Sequence, residues 1–174
     1  MSRAYSVKQV QATATVQGSD ALALSLCLLD ILDAGEMAAL LREELAAAGW
    51  VANARGALQT TLENGAEVTL SDDATEVVAR LAHAREAVAL GVDRDAAEEA
   101  LVAVRAREAA RAASRAAQDL DAVEPGLRAA VGEVVQRVYV RALKLRATRM
   151  GAVESVDERV GEDGALELTI KVRV

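Results

Sequence analysis

The first 30 residues alternate between apolar and polar side chains, which is the period-two pattern of a β-strand. Tyr5 and Val7 share one phase, and a change of phase near Lys8 predicts a β-bulge. Two apolar runs then flank Gly18-Ser19, which predicts a hairpin turn. The runs consist of Val10, Ala12, Ala14 and Val16, followed by Leu22, Leu24, Leu26 and Leu28. Because both faces of the second run are apolar or small, we expect it to be a central strand.

A helix is predicted to follow, because apolar residues now recur every three or four positions and no longer at every second position. Asp33 has the side chain of an N-cap, with Glu36 three residues later as in a capping box. Gly49 supplies a residue that ends a helix in the left-handed conformation. The predicted buried stripe consists of Met37, Leu40, Leu41, Leu45 and Ala48.

Two further strands are predicted around Asn64-Gly65, the dipeptide most typical of a short β-hairpin. They cover residues 57–63 and 66–71. The next segment, 75–90, fits a helical stripe and an alternating strand equally well. An acidic turn directly before it would let an antiparallel meander continue, so we interpret 75–90 as a strand.

Residues 92–150 are rich in alanine and charged side chains and are strongly helical in pattern. Asp93 is an N-cap, and Pro125 is a residue that commonly opens a helix. Together they predict an antiparallel helical hairpin. Beyond Gly151 the alternation returns, predicting a C-terminal β-hairpin over 152–174 around Gly161-Glu162-Asp163-Gly164, with one face in water.

The pattern therefore predicts an α+β fold, mainly an antiparallel sheet packed by one short helix and the long helical hairpin. With 174 residues, 52% of them apolar, the chain is long enough for one sizeable core. We expect a single domain over 1–174, sheet-rich over 1–90. Phe is absent and aromatic residues make up 2%, which predicts close packing of small aliphatic side chains. No apolar run is long enough to span a bilayer, and no signal-peptide core opens the chain, so we expect a cytoplasmic protein without membrane contact.

The sequence offers little chemistry for catalysis. His83 is the only histidine and Cys27 the only cysteine. We expect Cys27 to be a buried small hydrophobe in a leucine-rich run, and His83 to lie on a surface or a sheet face, so an enzyme relying on either is the least favoured function. Neither glycine-rich phosphate-binding pattern occurs. The pair Asp72-Asp73 and the turn Glu162-Asp163 have the composition of solvated turns, so we expect no metal site and no cofactor.

Charge is distributed unevenly along this acidic chain, whose net charge is −7. Residues 101–150 contain 10 Lys/Arg against 5 Asp/Glu. A basic stripe in this segment is the candidate interaction surface, and it consists of Arg107, Arg111, Arg115, Arg137, Arg141 and Lys144. Three interpretations stay open: a surface for an acidic protein partner, a helix face that is solvated or paired with acidic residues of the same chain, and a nucleic-acid-binding module. The overall charge and the shortage of aromatic residues disfavour nucleic acid.

The order of elements also resembles a known class of proteins. The junction Leu28-Leu29-Asp30-Ile31-Leu32 to Met37-Ala38-Ala39-Leu40-Leu41 and the C-terminal hairpin carry the resemblance. The chain is similar to small accessory proteins of bacterial ternary systems, which are encoded beside an FtsH-like or MoxR-like AAA+ ATPase. The resemblance implies an adaptor or substrate-presenting component with protein partners, an AAA+ ATPase among them. Since the sequence offers no recognisable active site, we interpret the chain as a non-enzymatic adaptor. Whether the chain forms homo-oligomers stays open.

Overall fold

The computed structural model describes residues 9–160 and 166–173 of the chain. The helices and strands in this part are β1 (Val10–Ser25), α1 (Ala34–Ala47), β2 (Val51–Ala52), β3 (Leu58–Thr61), β4 (Glu67–Leu70), β5 (Glu76–Gly91), α2 (Arg94–Met150), β6 (Ala152–Val160) and β7 (Leu166–Arg173). Five strands form one sheet in the order β1-β5-β4-β3-β2, and β6 and β7 form a two-stranded sheet of their own. The predicted mainly antiparallel α+β fold is confirmed.

The chain divides into two compact units. Unit 1 comprises Met1–Leu22, Thr61–Val68 and Ala79–Glu124, and unit 2 comprises Ala23–Thr60, Thr69–Val78 and Pro125–Val174. The long elements β1, β5 and α2 each contribute residues to both units.

Gly18 lies in the middle of β1 and not in a turn, so the predicted opening hairpin is wrong. The reason is a close approach to α2. A Cβ atom at Gly18 would lie 2.2 Å from the backbone nitrogen of Ala113 and 2.3 Å from the carbonyl oxygen of Ala109. Glycine is therefore needed here for packing, as it is where two backbone segments approach closely. Tyr5, Val7 and the bulge predicted near Lys8 lie outside the described residues.

The position of β1 in the sheet also differs from the prediction. The leucine-rich end of β1 belongs to an edge strand, since β5 is its one neighbour among the described strands. Leu24 is buried, whereas Ala21, Ala23 and Ser25 on the opposite face are exposed. The prediction of a central strand rested on the small and apolar residues of that face. Such residues do not require that another part of the protein packs on it.

The predicted first helix is confirmed as α1. The Asp33 carboxylate accepts a hydrogen bond from the Glu36 backbone N–H at 2.9 Å, as an N-cap does. Gly49 has a φ of +94°, which is the left-handed conformation expected after the last turn. The predicted stripe is buried except for Ala48, which is exposed because it is the C-cap, and Glu44 is buried with the stripe.

The hairpin predicted at Asn64-Gly65 is confirmed by β3 and β4, which are neighbours in the sheet. Gly65 has a φ of +84°, and the Leu62 N–H donates to the Ala66 carbonyl at 2.9 Å to close the loop. The ambiguous segment 75–90 is the strand β5, so the strand interpretation is confirmed.

Residues 94–150 form one continuous helix of 57 residues, and the predicted helical hairpin is wrong. Asp93 caps the helix as predicted, since its carboxylate accepts from the Ala96 N–H at 2.8 Å. Pro125 lies inside α2, where it lacks the N–H that would bond to the carbonyl four residues earlier and its ring crowds that carbonyl. Buried Leu120 and Leu127 are seven residues apart, two helical turns, so the apolar stripe keeps one phase past the proline.

Small side chains form the packing between α2 and the sheet within unit 1. Ala87, Ala89 and Leu101 form a buried cluster, and partly buried apolar residues pack against it, namely Ala12, Ala14, Val16 and Val104. This is the close packing that the lack of aromatic residues predicts.

The C-terminal β-hairpin is confirmed, with Val160 paired to Leu166 and Ala152 paired to Arg173. Along β7, Leu168, Ile170 and Val172 are half-buried and the side chains between them are exposed, as predicted for a strand with one wet face. The turn predicted at 161–164 lies outside the described residues.

Candidate functional site

Two buried glutamates organise the arginines of α2, one in each unit. In unit 2, Glu44 projects from the buried stripe of α1 and is 9% exposed. Arg137 Nε donates to Glu44 Oε2 at 3.0 Å, and Arg141 Nη1 donates to Glu44 Oε1 at 2.8 Å. Arg141 Nη2 also donates to Glu43 Oε2 at 2.7 Å. We call these four residues the Glu44 cluster.

The charges of the Glu44 cluster stabilise one another. The hydrogen bond from Arg141 lowers the pKa of Glu44 below its ordinary value, with a smaller contribution from Arg137 and against the effect of burial. The same contacts raise the pKa of Arg141. An open cavity of about 430 Å³ borders the cluster, and Lys144 and Glu133 contribute to its lining.

A second ion pair fixes the other end of α1. Arg149 donates through both terminal nitrogens to the Glu36 carboxylate, and this lowers the pKa of Glu36 to about 2. Because Arg149 meets the start of α1 while Arg137 and Arg141 meet its end, α1 runs antiparallel to this part of α2. The arginines at 137, 141 and 149 therefore form one stripe that fixes α1 along its length.

In unit 1, Glu108 of α2 is the buried carboxylate, and its side chain is 10% exposed. Arg85 Nε from β5 lies 3.0 Å from Glu108 Oε2, and Arg111 Nη1 from the next turn of α2 lies 2.6 Å from Oε1. Arg107 is farther away, with its Nε 3.9 Å from Oε1. We call these residues the Glu108 cluster.

His83 of β5 belongs to a neighbouring polar group in unit 1. Its Nε2 lies 2.9 Å from Asp119 Oδ2, and Arg115 Nε donates to the same carboxylate at 3.2 Å. The Asn64 side chain donates to the Asp119 backbone carbonyl at 3.2 Å. The His83–Asp119 pair thus joins β5 to α2, and the Asn64 hydrogen bond joins the β3–β4 loop to α2. His83 is half-buried on the face of the sheet, as predicted.

A family model named FtsH ternary system domain X5 matches residues 1–174 of the chain. The chain belongs to this family. It is therefore an accessory protein of an FtsH ternary system, as its resemblance to such proteins implied, and membership of a ternary system indicates protein partners. Neither the curated proteins nor the solved structures gave a match.

The six basic residues predicted as an interaction surface of this FtsH ternary system domain X5 protein divide between the two units. Arg107, Arg111 and Arg115 lie in unit 1, and their side chains are between 58% and 64% exposed. Arg137 and Arg141 lie in unit 2 and are less exposed, at 47% and 43%. Lys144 lies one turn beyond Arg141 and has an interaction within the protein. Each of these five arginines lies close to a carboxylate of the same chain. This agrees with the interpretation of a helix face that is paired with acidic residues of the same chain.

Sequence reasoning missed the acidic partners and Arg149. A signal for Glu44 was present, because it occupies a position of the buried apolar stripe of α1 between Leu41 and Leu45. A charged residue in such a stripe requires a partner of opposite charge. Glu108 gives a weaker signal, since the apolar face of α2 is narrow and mostly alanine.

Cys27 is exposed, so the prediction of a buried small hydrophobe is wrong. The reason is that β1 ends at Ser25 and the leucine-rich run does not continue as a strand. Tyr139 fixes this segment instead, because its hydroxyl donates to the Cys27 carbonyl and accepts from the Leu29 N–H, both at 3.3 Å.

The acidic turn before β5 uses its charge to fold the backbone. Asp73 Oδ1 accepts from the hydroxyls of Ser71 and Thr75, each at 2.7 Å, and the Ser71 contact is the largest cause of the fall in the pKa of Asp73 to about 2. Across residues 9–160 and 166–173, no three His, Cys, Asp or Glu side chains gather as they would around a metal ion. The acidic turn Glu162-Asp163 lies outside this range. In the same described ranges, no helix combines the length and apolarity of a bilayer span.

Proposed function

We propose that this chain is a non-enzymatic adaptor of its FtsH ternary system, and that it binds the AAA+ ATPase of that system through the arginines of unit 1. The observation that carries the proposal is the family match over residues 1–174. The proposed contact surface consists of Arg107, Arg111 and Arg115.

Exposure and pairing support the choice of these three arginines. Arg111 and Arg115 pair with carboxylates three and four residues away on the same helix, so their pairing does not join α2 to another element. More than half of each side chain faces water. Glu108 is buried, but it keeps Arg85 as a partner when Arg111 is released, so an acidic partner surface can compete for the exposed guanidinium groups.

The geometry of the two reactive side chains supports a role without catalysis. His83 is engaged by Asp119, whose carboxylate also accepts from Arg115. None of the contacts described for His83 or Asp119 involves a serine, threonine or cysteine, the nucleophiles that a histidine–carboxylate pair activates. Cys27 lies in unit 2, in a segment whose described contacts are made by its backbone.

The test compares two triple charge reversals that change the net charge equally. One replaces Arg107, Arg111 and Arg115 with Glu; the control replaces Arg55, Arg80 and Arg159, which are also exposed. Binding to the immobilised FtsH-like ATPase of the same system is measured by biolayer interferometry. We expect the first variant to lose at least about tenfold in affinity, mainly through slower association, and the control to bind like the wild type.

Three outcomes would contradict the proposal. Equal binding by both variants would show that these arginines are not the contact. Turnover of a substrate by the purified chain that is lost in His83→Ala would show an enzyme. Binding of duplex DNA near 150 mM salt at about micromolar affinity, lost in the first variant, would favour the nucleic-acid function.

A further inference from the structure

The first half of β1 offers an unpaired strand edge within unit 1. β1 ends the five-stranded sheet, with β5 on one side and no described strand on the other. Natural edge strands usually carry lysine, proline or a bulge that prevents further pairing. From Val10 to Gln17, β1 contains no charged residue and no proline. This edge therefore lacks the usual protection against the addition of another strand.

A groove of about 840 Å³ follows the same edge. Four consecutive residues of β1, Val10 to Thr13, line one side of it, and α2 lines the other. Because neighbouring residues of a strand point to opposite faces, a groove that meets four in a row meets the backbone edge. The unpaired edge and the groove are thus one surface, which we call the edge groove.

The α2 side of the edge groove has an apolar residue between charged ones. Val102 is 66% exposed and gives the groove an apolar contact point on α2. Glu98, Val102 and Arg105 share one helix face and line the groove. Glu98 is paired with Arg94, whereas no described residue pairs with the guanidinium of Arg105.

These features define the chemistry of the occupant. A strand beside β1 needs a large apolar side chain to cover Val102 and a carboxylate to pair with Arg105. A second copy of the edge segment 10–17 would bring no carboxylate to Arg105, because that segment contains no charged residue. The groove therefore fits a segment of a different protein.

We propose that the edge groove binds an extended segment of a protein partner as an additional strand beside β1. The segment carries large apolar side chains at alternate positions and one acidic side chain opposite Arg105, while backbone hydrogen bonds to β1 supply much of the affinity. This surface adds to the proposed adaptor function but does not depend on the ATPase contact, and it is tested with a synthetic peptide in the absence of the ATPase.

The probe is a fluorescein-labelled nonapeptide, Thr-Ile-Thr-Val-Thr-Glu-Thr-Ile-Thr, whose even positions form one face of a strand. Fluorescence anisotropy measures its binding to the full chain. We expect saturable binding that weakens at least about tenfold in Val102→Asp, as for an apolar anchor at an interface. The matched control is Val92→Asp, which alters a valine of similar exposure, 71%, outside the groove. It should bind like the wild type.

Charge exchange and hydrogen exchange test the mode of binding. Arg105→Glu should weaken binding of the peptide, and a peptide with Lys in place of Glu should restore it. Hydrogen exchange should show new protection of backbone amides within residues 10–17 when the peptide binds. Absence of binding, equal loss in the Val102 and Val92 variants, or binding without protection of 10–17 would overturn the proposal.

Two other occupants would be visible in the same measurements. If residues 10–17 become protected as the protein concentration rises without peptide, and the molar mass doubles, a second copy occupies the edge. If removal of residues 1–8 exposes 10–17 to exchange and strengthens peptide binding, the chain's own N-terminal segment occupies it. Either result would overturn the assignment to a partner protein.

Discussion

The Glu44 and Glu108 clusters have the same chemistry, a buried carboxylate held by arginines, but the arginines have different origins. Glu44 is held by Arg137 and Arg141, which lie 93 and 97 residues farther along the chain and join α2 to α1. Glu108 is held by Arg111 three residues away and by Arg85 of β5. Removing Arg137 and Arg141 therefore leaves Glu44 without either of its described partners on α2, whereas removing Arg111 leaves the Arg85–Glu108 contact between β5 and α2 in place.

The basic stripe of α2 looks uniform in sequence, but its arginines fall into two groups with different contacts. Arginines recur every four residues in both halves of α2, and the spacing alone does not show which of them fix another element. The half in unit 2 is structural, and the half in unit 1 has exposed arginines with local partners. A surface for a protein partner is compatible with the second arrangement, because a partner can take over those guanidinium groups while the fold remains intact.

The largest effect is expected from reversing the unit 2 pair. Arg137→Glu with Arg141→Glu would place two carboxylates against Glu44 and remove both of its partners. Uncompensated buried charges cost about 3–5 kcal/mol, so we expect a fall of that size in the free energy of unfolding in urea. The same reversal of Arg111 and Arg115 should cost less, because Glu108 keeps Arg85 as a partner and both reversed side chains are more than half exposed. Equal losses in the two variants would remove the distinction between the units.

The second prediction concerns the residue at which the two halves of α2 meet. In a continuous helix, Pro125→Ala restores a backbone N–H donor and removes a steric clash, so it should raise the free energy of unfolding by up to about 3 kcal/mol. If the chain turned at this point, the proline would fit the start of a second helix and its loss would lower stability. Urea unfolding of the single variant distinguishes the two outcomes.

A smaller effect is expected at two glycines that belong to different units. Gly18→Ala forces a Cβ against the backbone of α2 and should lower the free energy of unfolding by about 1–3 kcal/mol. Gly132 lies on α2, and a Cβ atom there would meet no atom of another described element within 4 Å, so Gly132→Ala should raise it by about 0.5–1 kcal/mol. Thermal unfolding of both variants gives opposite signs if β1 crosses α2 at Gly18, and the same sign if Gly18 lies in an extended strand with no close neighbour.

The pH dependence of stability sharpens the description of the Glu44 cluster. Because the folded protein lowers the pKa of Glu44 below 4.5, its ionisation stabilises the fold above about pH 4.5. That contribution is lost as the pH falls through the lower, folded-state pKa. We expect Glu44→Gln to be less stable than the wild type at pH 7, with a difference that shrinks on acidification below pH 4.5. A difference that is independent of pH would mean that the carboxylate is not paired.

Local signals in the sequence predicted the local structure well. The cap at Asp33, the turn at Asn64-Gly65 and the alternation of the C-terminal strand each depend on residues within a few positions of one another, and each is confirmed. The strand assignment of 75–90 rested on the turn before it, and it is also confirmed.

The errors come from tertiary contacts that local patterns do not contain. Gly18 and Pro125 are turn and helix-boundary residues by propensity, but one packs against a helix and the other lies inside one. The phase of the apolar stripe on both sides of Pro125 was a usable signal for a single helix. For the candidate surface, the sequence predicted the arginines but not their acidic partners. The partner of Arg137 and Arg141 lies more than 90 residues away and leaves no periodic trace, whereas the partners of Arg111 and Arg115 lie three and four residues away and were a usable signal.

Photo-crosslinking at two exposed, uncharged positions of α2 tests the division of the arginines most directly. The photoreactive residue benzoylphenylalanine replaces either Ser114, between Arg111 and Arg115, or Gln136, beside Arg137. Each variant is mixed with the FtsH-like ATPase of the same system and irradiated, and adducts are identified by mass spectrometry. We predict an adduct from position 114 and none from position 136. An adduct from position 136 with none from 114 would contradict the assignment of the contact to unit 1.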